Sequence, residues 1–410
     1  MAVSKTLLVF SALFLMLSYP LYSNVPAGID EPWLQRTYIA GCRLAGWMAV
    51  GLEMVTGTPA VHYLRWQAES LFIPEVNERP GLDVKNLVFE GVPVRVYTPD
   101  STSKDPRPCI VYFVGGGWST FSIDSYDTVL KNLALGTDMI VIAVQYRRSP
   151  EHPFPVPFDD CVKATRHVLH HPDSVGVNPS RVAVGGDGSG GNLAAAVALR
   201  LSEEDPRHTP ALKLQILLQP ALQASVFDTP SYRQNAYNSI LTRDLMLHSW
   251  LLYLGLKPQG DLMTTCIEKK HISSPIRLLH SLYLQESKLP DYTKDNYVER
   301  TETPSSGDFD REVAAKVEAL VSNPFLAPLV AEDLSKVARA FIVVGEFDVL
   351  RDDGLFYAVR LQEANVKCDV VYVMKQGHGF LAPQLINSFL SFAEAEQVWK
   401  DTYLFLKRNL

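Results

Sequence analysis

Residues 181–193 read Arg-Val-Ala-Val-Gly-Gly-Asp-Gly-Ser-Gly-Gly-Asn-Leu. A β-branched run, Val182 to Val184, enters a dense glycine cluster. The chain leaves through Asn192, Leu193 and an alanine-rich stretch that favours helix. The pattern predicts strand, tight turn, helix. Glycine adopts the strained backbone of such a turn at no steric cost. The helix that follows points free N–H groups at whatever sits on the turn.

The same alternation runs along most of the chain. Strands are predicted at Pro93 to Tyr97 (an edge strand), Cys109 to Val114, Asp138 to Tyr146, Leu212 to Leu218, Ala338 to Val344 and Asp369 to Met374. Helices are predicted at Phe158 to His170, Leu355 to Asn365 and Ala393 to Asn409. Alternating strands and helices imply an α/β fold, a mostly parallel sheet with helices on both faces. Residues 223–331 break the rhythm and read as a helical insertion, part of a lid. The expected organisation is an N-terminal segment at 1–23, membrane-proximal or lid helices at 24–83, and one α/β domain at 84–410.

A chain of 410 residues with 47% hydrophobic and 20% charged residues is globular. Its net charge of −7 and lack of a long basic run argue against a nucleic-acid partner. Cys42, Cys109, Cys161, Cys266 and Cys368 show no zinc or redox spacing, and Cys109 and Cys368 read as small strand hydrophobes.

Four motifs follow strands. Gly115-Gly116-Gly117-Trp118 succeeds a buried strand, and Gly186-Asp187-Gly188-Ser189-Gly190-Gly191-Asn192-Leu193 is the glycine turn itself. Glu346-Phe347-Asp348-Val349-Leu350-Arg351-Asp352-Asp353-Gly354 and Gln376-Gly377-His378-Gly379-Phe380 come later. In this order the chain resembles α/β-hydrolases of the hormone-sensitive-lipase group, most closely the branch with arylacetamide deacetylase and neutral cholesterol ester hydrolase. The glycine turn is similar to that family's nucleophile elbow, Gly-Asp-Ser-Ala-Gly-Gly-Asn-Leu. Aligned without gaps, the nucleophile position falls on Gly188 and the serine stands one residue late, at Ser189.

The resemblance implies Asp348 as the triad acid, His378 as the base, and Gly115, Gly116 and Ser189 as backbone donors of an oxyanion hole. It implies no cofactor and no metal. It departs from the family pattern twice, at Gly188 and at Val114, where the family has the histidine of His-Gly-Gly-Gly-Trp. Tyr146 to Pro155 resembles a structural signature of the same family, and His152 reads as a loop histidine packed under Phe154.

Two functional expectations stand side by side. A glycine cannot attack a carbonyl, so the first is a catalytically impaired member that binds an apolar ester or lipid. The second is an active serine ester hydrolase that uses Ser189 with His378 and Asp348. One step along a helix start turns a side chain by about 100° and moves it about 1.5 Å, while attack needs alignment at about 3 to 3.5 Å. A ligand-free scaffold is a third class.

Leu7 to Tyr22 is a nearly unbroken apolar run behind Lys5, followed by Asp30 and Glu31. It is as long as a signal-peptide core and short for a bilayer span of roughly 20 residues. The resemblance implies an uncleaved type II anchor, followed by Glu31-Pro32-Trp33, with the body in the endoplasmic reticulum lumen. A cleaved secretory signal is the alternative. Tyr38 to Thr56 is apolar but interrupted by Arg43 and Glu53, which makes a poor span and a better membrane-proximal or lid helix.

Overall fold

The computed structural model describes residues 25–71, 79–100, 105–237, 240–293, 309–381 and 391–410. The Leu7 to Tyr22 run lies outside the described residues. The described chain opens with a helical hairpin, α1 (Pro32–Thr56) and α2 (Ala60–Leu71). Strands β1 (Leu82–Phe89) and β2 (Val92–Pro99) follow. Then come β3 (Arg107–Phe113), α3 (Asp127–Thr137), β4 (Ile140–Val144), α4 (Val156–His170), β5 (Val177–Asp187) and α5 (Ser189–Ser202). β6 (Leu214–Leu218) leads into the helices α6 (Pro230–Asn235), α7 (Arg243–Tyr253), α8 (Gly260–Ile267), α9 (Ser274–Ser281) and α10 (Arg311–Val321). The chain closes with β7 (Arg339–Phe347), α11 (Arg351–Glu363), β8 (Cys368–Gly377) and α12 (Ala393–Asn409).

The strands form one 8-stranded sheet in the order β1-β2-β4-β3-β5-β6-β7-β8. β2 pairs antiparallel with β1 and β4, and the remaining pairs are parallel. The expected fold class is therefore borne out. β4, Ile-Val-Ile-Ala-Val, and β6, Leu-Gln-Ile-Leu-Leu, are buried at every position. Strands covered on both faces read as continuous apolar runs, which is why they were visible in the sequence.

Two expectations need correction here. Pro93 to Tyr97 does not form the edge strand; it lies inside β2, and β1 takes the edge, so the sheet starts at Leu82 rather than at 84. β1 carries Asp83, Lys85 and Asn86 on an exposed strand, which hides its apolar rhythm. His152 is exposed rather than packed under Phe154, whose ring instead meets Phe158 and Tyr253. All five cysteines are free thiols; Cys109 is buried and Cys368 only partly so.

The centre of the sheet sets the glycine turn. Val182, Ala183 and Val184 are fully buried in β5, between β3 and β6. α5 then lies back on the sheet so closely that a Cβ on Gly190 would stand 2.0 Å from the Phe113 carbonyl oxygen. Any side chain there would push the helix off β3.

Candidate active site

The turn between β5 and α5 is a single residue. Gly188 sits at φ 52, ψ −114, and Ser189 opens the helix. The Gly188 N–H donates to the Leu218 carbonyl (2.9 Å), and the Gly188 carbonyl accepts from the Asn192 and Ala221 N–H groups (both 3.1 Å). The backbone at this point is therefore held from three sides. A Cβ built on Gly188 would point at His378, 3.7 Å from Nε2 and 3.9 Å from Cε1, and meet no other described atom within 4 Å.

Ser189 faces elsewhere. Its Oγ accepts the Trp118 N–H at 3.1 Å, and the residue is 3% exposed. Thus the one hydroxyl on the turn faces the glycine loop after β3, and the direction toward the imidazole belongs to position 188.

His378 follows β8 and donates from Nδ1 to Oδ2 of Asp348, which follows β7, at 2.8 Å. Asp348 is fully buried. Its Oδ1 accepts the Leu350 N–H at 2.8 Å, and its Oδ2 also accepts from Nε2 of Gln219 at 2.8 Å. An aspartate so fixed orients the ring and leaves Nε2 pointing at the turn, the arrangement that general-base chemistry requires.

The loop Gly115 to Trp118 lies on the other side of the turn. The Gly115 N–H donates to the Tyr126 phenol oxygen (3.2 Å), so this candidate oxyanion donor is already engaged. The Tyr126 hydroxyl in turn donates to Oδ2 of Asp187 (2.6 Å), and Tyr112 donates to Oδ1 (3.0 Å). Burial pushes the Asp187 carboxyl above its ordinary range, against the two phenols, which pull it down. The Val114 carbonyl accepts from the Tyr146 hydroxyl at 2.7 Å. Trp118 is fully buried, stacked on Tyr253 at 4.4 Å and packed against Trp250 of α7. Such pairs contribute about 0.5–1.5 kcal/mol each beyond area burial. The insertion helix α7 thus packs over the loop.

Sequence reading missed three groups. Arg65 of α2 donates from Nε to the Ser119 carbonyl and from Nη2 to the Ser149 carbonyl (both 2.6 Å), and forks onto Glu151 at 2.6 and 2.8 Å. That fork holds the Glu151 carboxyl down at about 2. Gln219, just past the predicted strand end at Leu218, ties two segments together: it donates to Asp348 and to the Gly377 carbonyl (3.1 Å), and accepts the Gly379 N–H on its Oε1 at 3.0 Å. Tyr126 is the link between Asp187 and the glycine loop. Only Gln219, next to the predicted strand end at Leu218, carries any local signal.

Asp353, in the first turn of α11, accepts the Leu222 N–H (2.9 Å) and Nε2 of Gln223 (3.2 Å), and so fixes the segment after β6. Burial pushes its carboxyl up to about 7. The folded chain then holds this proton more tightly than the unfolded chain. Its contribution is complete below the ordinary carboxylate range and is lost as pH rises toward about 7. The stability difference between wild type and Asp353→Asn should therefore shift against wild type over that window, by at most about 1.4 kcal/mol per pH unit. Urea unfolding at a series of pH values measures it, and a pH-independent difference would contradict the assignment.

A parallel sheet with a turn after β5, an aspartate after β7 and a histidine after β8 has the architecture of an α/β hydrolase. A family model described as alpha/beta hydrolase fold matches residues 110–274 and 267–382, and the chain belongs to that family. Arylacetamide deacetylase of Bos taurus is 32% identical over 379 residues, 91% of this chain and 93% of its own. Neutral cholesterol ester hydrolase 1 of Mus musculus is 30% identical over 379 residues, 90% of this chain and 91% of its own. A thermostable esterase from Pseudomonas putida superposes with a TM-score of 0.62 at 25% identity, over 94% of this chain and 99% of its own.

Proposed function

We propose that this chain is an ester-hydrolase relative that binds an apolar ester or lipid and hydrolyses it poorly, because the nucleophile position holds Gly188. One observation carries the reading: the Cβ direction at Gly188 is the one that meets His378 Nε2, at 3.7 Å. A hydroxyl on that carbon would come within hydrogen-bond reach of the imidazole, about 2.6–3.2 Å. Glycine offers none. Asp348 orients His378, His378 is the base, and the N–H groups of Gly116 and Ser189 are the donors for a developing oxyanion, the Gly115 N–H being held by Tyr126. In a serine protease of another fold, loss of the nucleophile costs about 10⁶ in turnover.

Use of Ser189 as nucleophile would require its hydroxyl to leave the Trp118 N–H and swing about a helix start toward His378. The substrate class comes by analogy with the relatives, which are named for arylacetamides and cholesterol esters. The proposal includes α1, α2 and the helices of residues 223–331 as the cover of the site. It also places the chain at the endoplasmic reticulum membrane, held by the apolar run Leu7 to Tyr22; among the described residues no helix is long and apolar enough to cross a bilayer.

The test is binding without turnover. A p-nitrophenyl ester of a medium-chain acid, incubated with the purified chain, should bind saturably and be recovered intact. Steady hydrolysis that disappears in His378→Ala would refute impairment.

A further inference from the structure

The outer half of α1 presents large apolar side chains to solvent. Leu44, Trp47, Met48 and Val55 stand at helical spacing on one face, and residues 50–56 are all exposed. Met54 and Val55 are 82% and 84% exposed, and Trp47 is 50% exposed. A helix end with this many large apolar side chains in water is normally covered, so this one calls for a covering medium.

The polar groups of the same tip are exposed but bonded within the hairpin. Residues 44–56 carry one charge, Glu53, and its carboxylate accepts the Ala60 N–H that opens α2 (3.2 Å). The Thr56 hydroxyl donates to the Leu52 carbonyl (2.8 Å), lies 2.6 Å from the Tyr63 hydroxyl, and accepts the Thr58 N–H (3.1 Å). The Gly57 N–H donates to the Glu53 carbonyl at 2.8 Å. Hydrogen bonds that close within the tip lower the cost of leaving water, which for open polar groups is several kcal/mol each in hydrocarbon, and the Glu53 charge keeps the tip at headgroup depth.

We propose that this α1 tip is a lipid-docking face, lying in the interfacial layer of a bilayer with Trp47, Met54 and Val55 among headgroups and upper acyl chains. The chain upstream says what covers it. The apolar run ends at Tyr22, three positions before Val25, which packs with Ile29 against Ile39 of α1. Three residues reach at most about 11 Å, and the helix from Ile39 to Met54 adds about 22 Å. The end of the run therefore lies within about 40 Å of the tip, close enough for one bilayer surface to meet both. The occupant is a lipid surface because it needs only apolar contact, of the kind an amphipathic or apolar helix makes at a depth of about 5–10 Å. Arg65 on α2 then ties the docked hairpin to the glycine loop through the Ser119 and Ser149 carbonyls, which sets the site beside the lipid from which an apolar ester would come. This inference rests on the bilayer location proposed above, and the experiment separates the two.

The full chain is reconstituted with phosphatidylcholine vesicles whose acyl chains carry bromine near the headgroup end or near the terminal methyl. The Trp47 emission is taken as the difference between wild type and Trp47→Phe. It should fall by about half with the shallow bromines and less with the deep ones, the pattern of an interfacial helix. Met54→Glu with Val55→Glu should abolish that quenching while the chain still floats with the vesicles. If wild type floats and Trp47 ignores both bromines, the docking face is refuted although the bilayer location stands. If that insensitivity comes with a doubled mass, a second copy covers the face, and the proposal again fails. A chain that does not float overturns both.

Discussion

Gly188→Ser is expected to raise hydrolysis of p-nitrophenyl butyrate at least about 10²-fold, the low end of what an activated nucleophile regains against losses of about 10⁶. The reason is geometric. His378 Nε2 already lies 3.7 Å from the Cβ that serine would add, and no other described atom crowds that carbon within 4 Å. Asp348, His378 and their 2.8 Å contact need not move. The cost is conformational, since a side chain at φ 52, ψ −114 is strained by about 1–3 kcal/mol. The variant should therefore be more active and less stable, with a lower melting temperature. If activity did not rise although the variant folded, the fault would lie in the glycine loop, where Val114 precedes Gly115 and Tyr126 holds the Gly115 N–H.

In that restored background, Asp348→Asn should cost about 10⁴ in kcat, the scale seen when the triad acid of a serine protease becomes its amide. Asp348 is the acceptor that fixes His378 Nδ1 at 2.8 Å, and it also receives Gln219 and the Leu350 N–H. An amide can present NH₂ to the ring and trap the wrong tautomer, so the loss should fall on kcat with KM little changed. Steady-state kinetics of Gly188→Ser with and without Asp348→Asn would measure it. A loss below about tenfold would mean that the imidazole is oriented by other contacts.

Much of this arrangement was legible in the sequence because it is local. The buried strands β4 and β6 announce themselves as apolar runs, and each site motif sits within a few residues of a strand end. Asp348, His378 and the glycine turn could therefore be read in order. What escaped was long-range or faint. Arg65 reaches the Ser119 carbonyl across 54 positions, and Gln219 reaches Gly379 across 160; no spacing rule joins such residues. β1 was missed because an exposed edge strand with charges lacks contrast. α11 starts at Arg351 rather than at Leu355 because its first turn is acidic, favourable to the helix dipole but invisible to an apolar pattern. The exposed tip of α1 was legible as an apolar stretch, but its internal hydrogen bonds were not.

The most direct test of the central claim is labelling by a fluorophosphonate, read by intact mass and peptide mapping, on wild type beside Gly188→Ser. With position 188 as the one that faces His378, wild type should stay unlabelled and the variant should take up one label on the new serine. Stoichiometric labelling of wild type at Ser189 would show that its hydroxyl leaves Trp118 to meet the imidazole, and the chain would then be a working serine esterase.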